Sequence, residues 1–200
     1  MLFFWGGVSP MTEQVCSEIH SELLNASRWN RLAVAQQYLY DKELDLTTEE
    51  WWELFRSAWL LAEHNSTGPS LRASMLMLSK APPAPAKLRE GIPNKRFKVY
   101  RGGSLHGLSW TKWKKKAVFF QKRRLEYDSY YNPVPLIKLP PLAERIVEPD
   151  DVYFFTDDRE EKEVVIIPEE AWDYIETDAY QIECEEFTEK KKQAGYEEGC

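Results

Sequence analysis

The sequence predicts an α+β protein, with helices gathered in the first 80 residues and short strands in the second half. Three observations carry this expectation. Apolar residues recur at helical spacing before residue 80. A proline-rich run, "APPAPAKLREGIPNK", then interrupts the pattern, because four prolines and a glycine sustain neither a helix nor a central strand. Beyond it, several strand-length apolar runs flank one helical stretch, an order that fits α+β better than an alternating parallel sheet.

The elements follow in chain order. The opening "MLFFWGGVSPM" is apolar, lacks a basic flank and is too short to span a bilayer. Residues 1–10 are therefore read as a leader or a packed strand, with Met11 an alternative start. A helical region is expected over 11–81. Val15, Ile19, Leu23 and Leu24 mark the apolar face of a first helix, and Trp29, Leu32, Ala33, Gln36 and Leu39 a second, less cleanly amphipathic one. "TTEEWWELFRSAWLLAEHN" is the clearest helix. Thr47 and Glu50 have capping-box spacing, Trp51, Leu54, Phe55, Ala58 and Leu61 recur at helical intervals, and "STGPS" ends the run. In "LRASMLMLSK", Met75 and Met77 are read as core filler rather than as a cofactor box.

Residues 82–95 are read as a linker, and 96–182 as the functional core. There "FKVYRG" is expected to be a strand, and "TKWKKKAVFFQKRRL" a helix with Trp113, Ala117 and Phe120 on one side. "PLIKL", "ERIVE", "VYFF" and "EVVII" are four further strands. The stretch 183–200 is mostly charged and is read as an acidic, mobile tail.

Cys16, Cys184 and Cys200 form no CxxC pair, and His20, His64 and His106 have no ligand spacing, so the chain argues against a disulfide scaffold or a zinc site. No stretch resembles a membrane segment, and a cytoplasmic, metal-free protein is expected. The net charge of −7 conceals a polarised distribution. Between Arg96 and Arg124 stand ten Lys or Arg and no acid, whereas Pro141 to Cys200 holds 20 acids against six bases. An acid-free basic block is a candidate phosphate contact, although charged runs usually face only water.

Two stretches suggest chemistry. In "VYRGGSLHGLSWT", Arg101 at a strand end can hold a phosphate bidentately, Gly102 and Gly103 let a ligand approach the backbone, and Ser109 and Thr111 offer hydroxyls. The plain alternative is a hairpin with a surface arginine. In "REEKEVVIIP", Glu160, Glu161 and Glu163 precede a buried-strand run, and on an extended strand Glu161 and Glu163 share a face. The plain alternative here is a solvated strand start.

Taken together, Tyr-Arg-Gly, a Ser-x-Thr triplet, an aromatic-containing helix and Glu-x-Glu before an apolar run and proline resemble the mono-ADP-ribosyltransferases of the Arg-Ser-Glu class. The pattern is similar to small bacterial and phage proteins of that superfamily, and spans Val99 to Pro168. The resemblance implies a split, mainly antiparallel β-sandwich behind the helical N-terminal region, and NAD as substrate. It assigns Arg101 to the NAD phosphates, Ser109 and Thr111 to the strand beneath the nicotinamide ribose, and Glu163 to the ribose 2′-hydroxyl and the developing oxocarbenium charge. Glu161 would position or deprotonate the acceptor. Tyr100, Gly102, Trp110 and Phe120 complete the implied NAD-binding set, with core packing the competing role for Phe119 and Phe120. Trp110 and Thr111 depart from the family's usual Ser-Thr-Ser triplet.

The resemblance leaves the acceptor open between a nucleic acid, RNA or DNA, and an arginine on a protein. "KWKKKAVFFQKRR" holds seven bases with interleaved aromatics, which favours nucleic acid, with Lys112, Lys114, Lys115, Lys116, Arg123 and Arg124 as the contacts. A solvated amphipathic helix is the plain alternative. The relatives' roles imply a toxin or phage-conflict effector with an antitoxin-like inhibitory partner. Two rival functions remain: a catalytically inactive module of the same fold that binds NAD or nucleic acid, and an NAD glycohydrolase.

Overall fold

The computed structural model describes residues 13–27, 30–41, 44, 46–62, 68–131, 141–157 and 160–193. The expected "PLIKL" strand, residues 1–12, Trp29 and the side chain of Arg124 lie outside the described residues. The chain divides into two compact units, one of residues 1–65 and 72–85, the other of 66–71 and 86–200.

The first unit is helical. It contains α1 (Glu13–Asn25), α2 (Arg31–Gln36), a π-helical turn (Gln37–Asp41), α3 (Thr48–Leu61) and most of α4 (Gly68–Ser79). Ile19 and Leu23 of α1 are buried as expected, but Leu24 is exposed, since the residue next to Leu23 points about 100° away around the helix. In α2 the buried residues are Leu32 and Ala35, and Ala33 faces out.

α3 starts at a full capping box. The Thr47 side chain accepts from Glu50 N at 3.2 Å, and Thr47 N donates to the Glu50 carboxylate at 2.8 Å. Its apolar arc is wider than the spacing suggested, because Trp52 and Trp59 are buried beside Trp51, Leu54, Phe55 and Ala58. Trp51 stacks on Phe55 at 5.4 Å, and Phe55 stacks on Trp59 at 5.9 Å. The buried indole of Trp52 still donates its N–H, to Pro82 O at 2.9 Å, so no polar group is stranded there. Met75 and Met77 are fully buried, in keeping with core filling.

The second unit is built on one antiparallel sheet. Its elements are α5 (Ala86–Arg89), β1 (Phe97–Gly102), β2 (Ser109–Thr111), α6 (Lys114–Tyr131), β3 (Leu142–Val147), a 3₁₀ turn (Pro149–Asp151), β4 (Phe154–Thr156), β5 (Glu163–Val165), α7 (Glu169–Ile175) and α8 (Asp178–Gln193). The strand order is β3-β1-β2-β5-β4, every pairing is antiparallel, and all strands among the described residues belong to this sheet. The protein is therefore α+β.

Three expectations need correction here. The proline-rich stretch contains a single helical turn, α5, whose Arg89 donates to Val152 O and Pro149 O, both at 2.8 Å. Residues 183–193, read as a tail, are helical in α8, because a Glu- and Lys-rich composition is as compatible with a solvated helix as with disorder. Trp113 precedes α6 and is 50 % exposed rather than packed with Ala117.

Side chains alternate across the sheet. One face carries the core cluster Val99, Trp110, Ala143, Val147, Val152, Val164 and Ile166. The other face receives α6, and Gly102 sets how closely it approaches. A Cβ at Gly102 would lie 2.5 Å from Gln121 N and closer still to Ala117 O, both on the α6 backbone. Across the sheet from α6, Arg145 of β3 pairs with Glu170 of α7 and lies 5.6 Å from the Trp110 ring.

Two outcomes are expected. Gly102→Ala should lower stability by about 1 to 3 kcal/mol, since backbone rather than a flexible side chain must move; an unchanged denaturant midpoint would refute the close approach. The Arg145 guanidinium holds the Glu170 carboxyl below its ordinary value of 4.5. A carboxylate lowered by folding contributes stability that is full above that ordinary value and is lost as pH falls through the lowered one. Glu170→Gln should therefore flatten the acid limb of stability against pH, and an acid limb identical to wild type would show that the pair contributes nothing.

Candidate functional site

The site is assembled by three adjacent strands, β1, β2 and β5. Arg101, near the end of β1, turns its guanidinium onto the loop that follows. Its Nε donates to Ser104 O at 2.9 Å, and its Nη1 donates to Ser109 O. Gly107 lies directly against this group, and a Cβ there would overlap the guanidinium carbon and nitrogens. A side chain there would displace the guanidinium from this seat.

The rest of the loop is fixed with equal economy. Gly103, with φ of 124°, lies in a region that favours glycine and donates its N–H to Pro141 O at 3.0 Å. Trp110 Nε1 donates to Gly107 O at 2.7 Å, and Ile166 N donates to Leu108 O at 3.1 Å. His106 stacks on Tyr174 of α7, with centroids 3.6 Å apart and planes within 3°. The glycine-rich stretch thus forms a loop held by hydrogen bonds at Gly103, Gly107 and Leu108.

Register then fixes which side chains meet. Tyr100 is opposite Thr111, Thr111 opposite Glu163, and Glu163 opposite Thr156, so these four share a face, along with Ser109 two residues before Thr111. Ser109 Oγ donates to Glu163 Oε1. Glu163 is only 3 % exposed, and a hydrogen bond to a buried charged group contributes about 1.5 to 3 kcal/mol. Ser109 and Glu163, singled out separately in the sequence, are thus in direct contact.

Arg101 is one residue beyond Tyr100, and alternation starts its side chain from the core face of β1. Its Nη1 meets the site strand at the backbone carbonyl of Ser109. Trp110, expected beside NAD, is 2 % exposed within the core cluster, for the same reason of alternation. Gly102 serves α6 packing.

The acidic turn also departs from the expected strand. Glu160 has φ of 54° and Lys162 φ of 49°, so the extended backbone begins only at Glu163. Alternation therefore does not pair Glu161 with Glu163. Instead, Thr111 Oγ1 donates to Glu161 O at 2.6 Å and accepts from Trp113 N at 3.1 Å, tying the turn to the start of α6. Lys162 pairs with Asp157 and lies 5.5 Å from the Trp113 ring. Lys162 and Asp157 carry no signal in the sequence, because their pairing occurs across a turn with positive φ at Glu160 and Lys162 that no glycine or asparagine announces.

The basic residues separate into two groups. Lys112 donates to Gly91 O at 2.7 Å, lies 4.7 Å from the Phe155 ring, and has its pKa pushed down by burial and by nearby Lys162. These contacts brace Lys112 against the turn at Gly91 and β4. Lys114, Lys115 and Arg123 are exposed, Lys116 is half-buried, and Lys114 and Lys116 each lie 5.8 Å from an aromatic ring, of Tyr100 and Phe119 respectively. Phe120 is half-buried and meets Phe119 edge-on at 5.5 Å.

Among the described residues, no group of three or more His, Cys, Asp and Glu could hold a metal ion. No helix among them is long and apolar enough to cross a membrane. No protein-family model, curated protein or solved structure matches the chain.

The seat of Arg101 on Gly107 can be tested by a double-mutant cycle. Gly107→Ala should destabilise the wild-type chain by about 1 to 3 kcal/mol. In an Arg101→Ala background the same change should cost less, with a coupling of about 1 kcal/mol or more. Strict additivity would show that the guanidinium does not lie against Gly107.

Proposed function

We propose that the chain is an NAD-dependent mono-ADP-ribosyltransferase. The observation that carries this reading is the hydrogen bond from Ser109 Oγ to the buried carboxylate of Glu163, made beside a strand that bears Arg101. NAD binds with its nicotinamide ribose over Ser109 and Glu163. The carboxylate, with one oxygen held by Ser109, accepts from the ribose 2′-hydroxyl and opposes the positive charge that grows at C1′. The bond from C1′ to the nicotinamide nitrogen breaks, and its electron pair leaves with nicotinamide. A nucleophilic atom of the acceptor bonds to C1′, and its proton passes to Glu161 or to water.

Arg101 contributes by holding the 103–108 loop, and its charge favours the NAD diphosphate beside that loop. The same reading takes the five-stranded sheet as one half of a split, transferase-like sandwich. The motif resemblance over Val99 to Pro168 supports an intracellular toxin or phage-conflict role with an inhibitory partner, acting on a nucleic acid or a protein arginine. A second reading, a module that binds without turnover, is favoured by one observation: Glu163 is 3 % exposed while Arg101 is engaged by two loop carbonyls.

Nicotinamide release from NAD by the purified chain, with and without cell extract, separates the alternatives. Release that requires extract is the expected result. Glu163→Gln, which keeps an oxygen for Ser109 to donate to, should retain folding and NAD affinity but release nicotinamide roughly a hundredfold more slowly or worse. Release by the wild type without extract would point to hydrolysis, and none under either condition to a binding module.

A further inference from the structure

We propose that the outward face of α6 binds single-stranded nucleic acid, with phosphates on Lys115, Lys122 and Arg123 and a base stacked on Phe119. The orientation of α6 is fixed by its contact with β1, where the Gly102 position meets Ala117 and Gln121. At about 100° per residue, Lys115, Phe119, Lys122 and Arg123 then fall on the opposite side, and all four are exposed. They form a stripe at i, i+4, i+7 and i+8 that extends about 12 Å along the axis. Phe119 is 52 % exposed at its centre, with the Lys116 ammonium 5.8 Å from its ring.

A solvated helix face explains the charges but not an aromatic ring held open among them. An anionic membrane is a poorer fit, because among the described side chains of α6 the stripe offers one ring and no apolar band to bury in lipid. An acidic peptide supplies charge but no flat partner for the ring. A single strand supplies both a regular row of phosphates and unpaired bases with accessible π-faces. The stripe lies within the acid-free run from Arg96 to Arg124, which offsets locally the repulsion expected from a net charge of −7. Trp113, 50 % exposed just before the helix, is tied through its backbone N–H and the Thr111 hydroxyl to the backbone of the Glu161 turn.

If the bound strand is also the acceptor, this deepens the transferase reading and rests on it; binding itself is measured without NAD. The probe is a fluorescent oligothymidine or oligouridine titrated with the full chain, read by anisotropy over a series of salt concentrations. The wild type should bind, and Glu163→Gln should bind equally well. The triple reversal Lys115→Glu, Lys122→Glu, Arg123→Glu should abolish most binding and flatten the salt dependence by about two to three units. Phe119→Ala, at an exposed position, should weaken binding roughly tenfold and leave the salt slope unchanged. The proposal is overturned if the triple variant binds like wild type, if Phe119→Ala has no effect or duplex binds as well as single strand, or if anionic vesicles are bound while the oligonucleotides are not. Nicotinamide release is scored separately, so loss of either reading leaves the other standing.

Discussion

The guanidinium of Arg101 laid against Gly107 is the constraint on which the rest of the site depends. By donating to the carbonyls of Ser104 and Ser109, it closes the loop between β1 and β2 and sets where β2 begins. The start of β2 determines the register Ser109↔Val165 and Thr111↔Glu163. A slip of one residue would turn the Ser109 hydroxyl into the core and Trp110 out of it. The arginine thus acts on the acid through the register of β2.

Glu163 illustrates what such control allows. A carboxylate removed from water is costly unless it is hydrogen-bonded, and a rigid sheet can hold the bonding hydroxyl in place where a loop could not. Gly102 serves the same end on the α6 side, because the missing Cβ lets the helix backbone settle onto the strand. The two glycines act on opposite faces of the sheet, Gly102 admitting a helix and Gly107 admitting a guanidinium.

Much of the fold was legible in the sequence where local rules decide the outcome. Thr47 and Glu50 identify the start of α3 because a capping box needs only those two residues. The β1 strand was readable as "FKVYRG", and Ser109 to Thr111 fell on β2, although the positions of these strands in the sheet were not. What stayed hidden was set by tertiary geometry. Lys162 and Glu160 adopt left-handed backbone without the glycine or asparagine that usually announces it, so the acidic run was read as continuous strand. Lys112 looked like the rest of the basic block, and only its contact with Gly91 and Phe155 separates it. Helix α7 carries no distinctive signal in the sequence, and the charge of residues 183–193 in α8 reads like that of a tail.

The strand order has a kinetic consequence. β1 with β2, and β4 with β5, are each joined by a short stretch of chain, so both ribbons can form early at small loop-closure cost. The two ribbons meet only along β2 and β5, and the Ser109 to Glu163 bond, 54 residues apart in sequence, lies on that seam. Long-range pairings of this kind dominate the time a chain needs to fold. A nascent or partly unfolded chain would therefore carry the arginine loop and the acidic turn as separate halves, and the contact of Ser109 with Glu163 would form only when the seam closes.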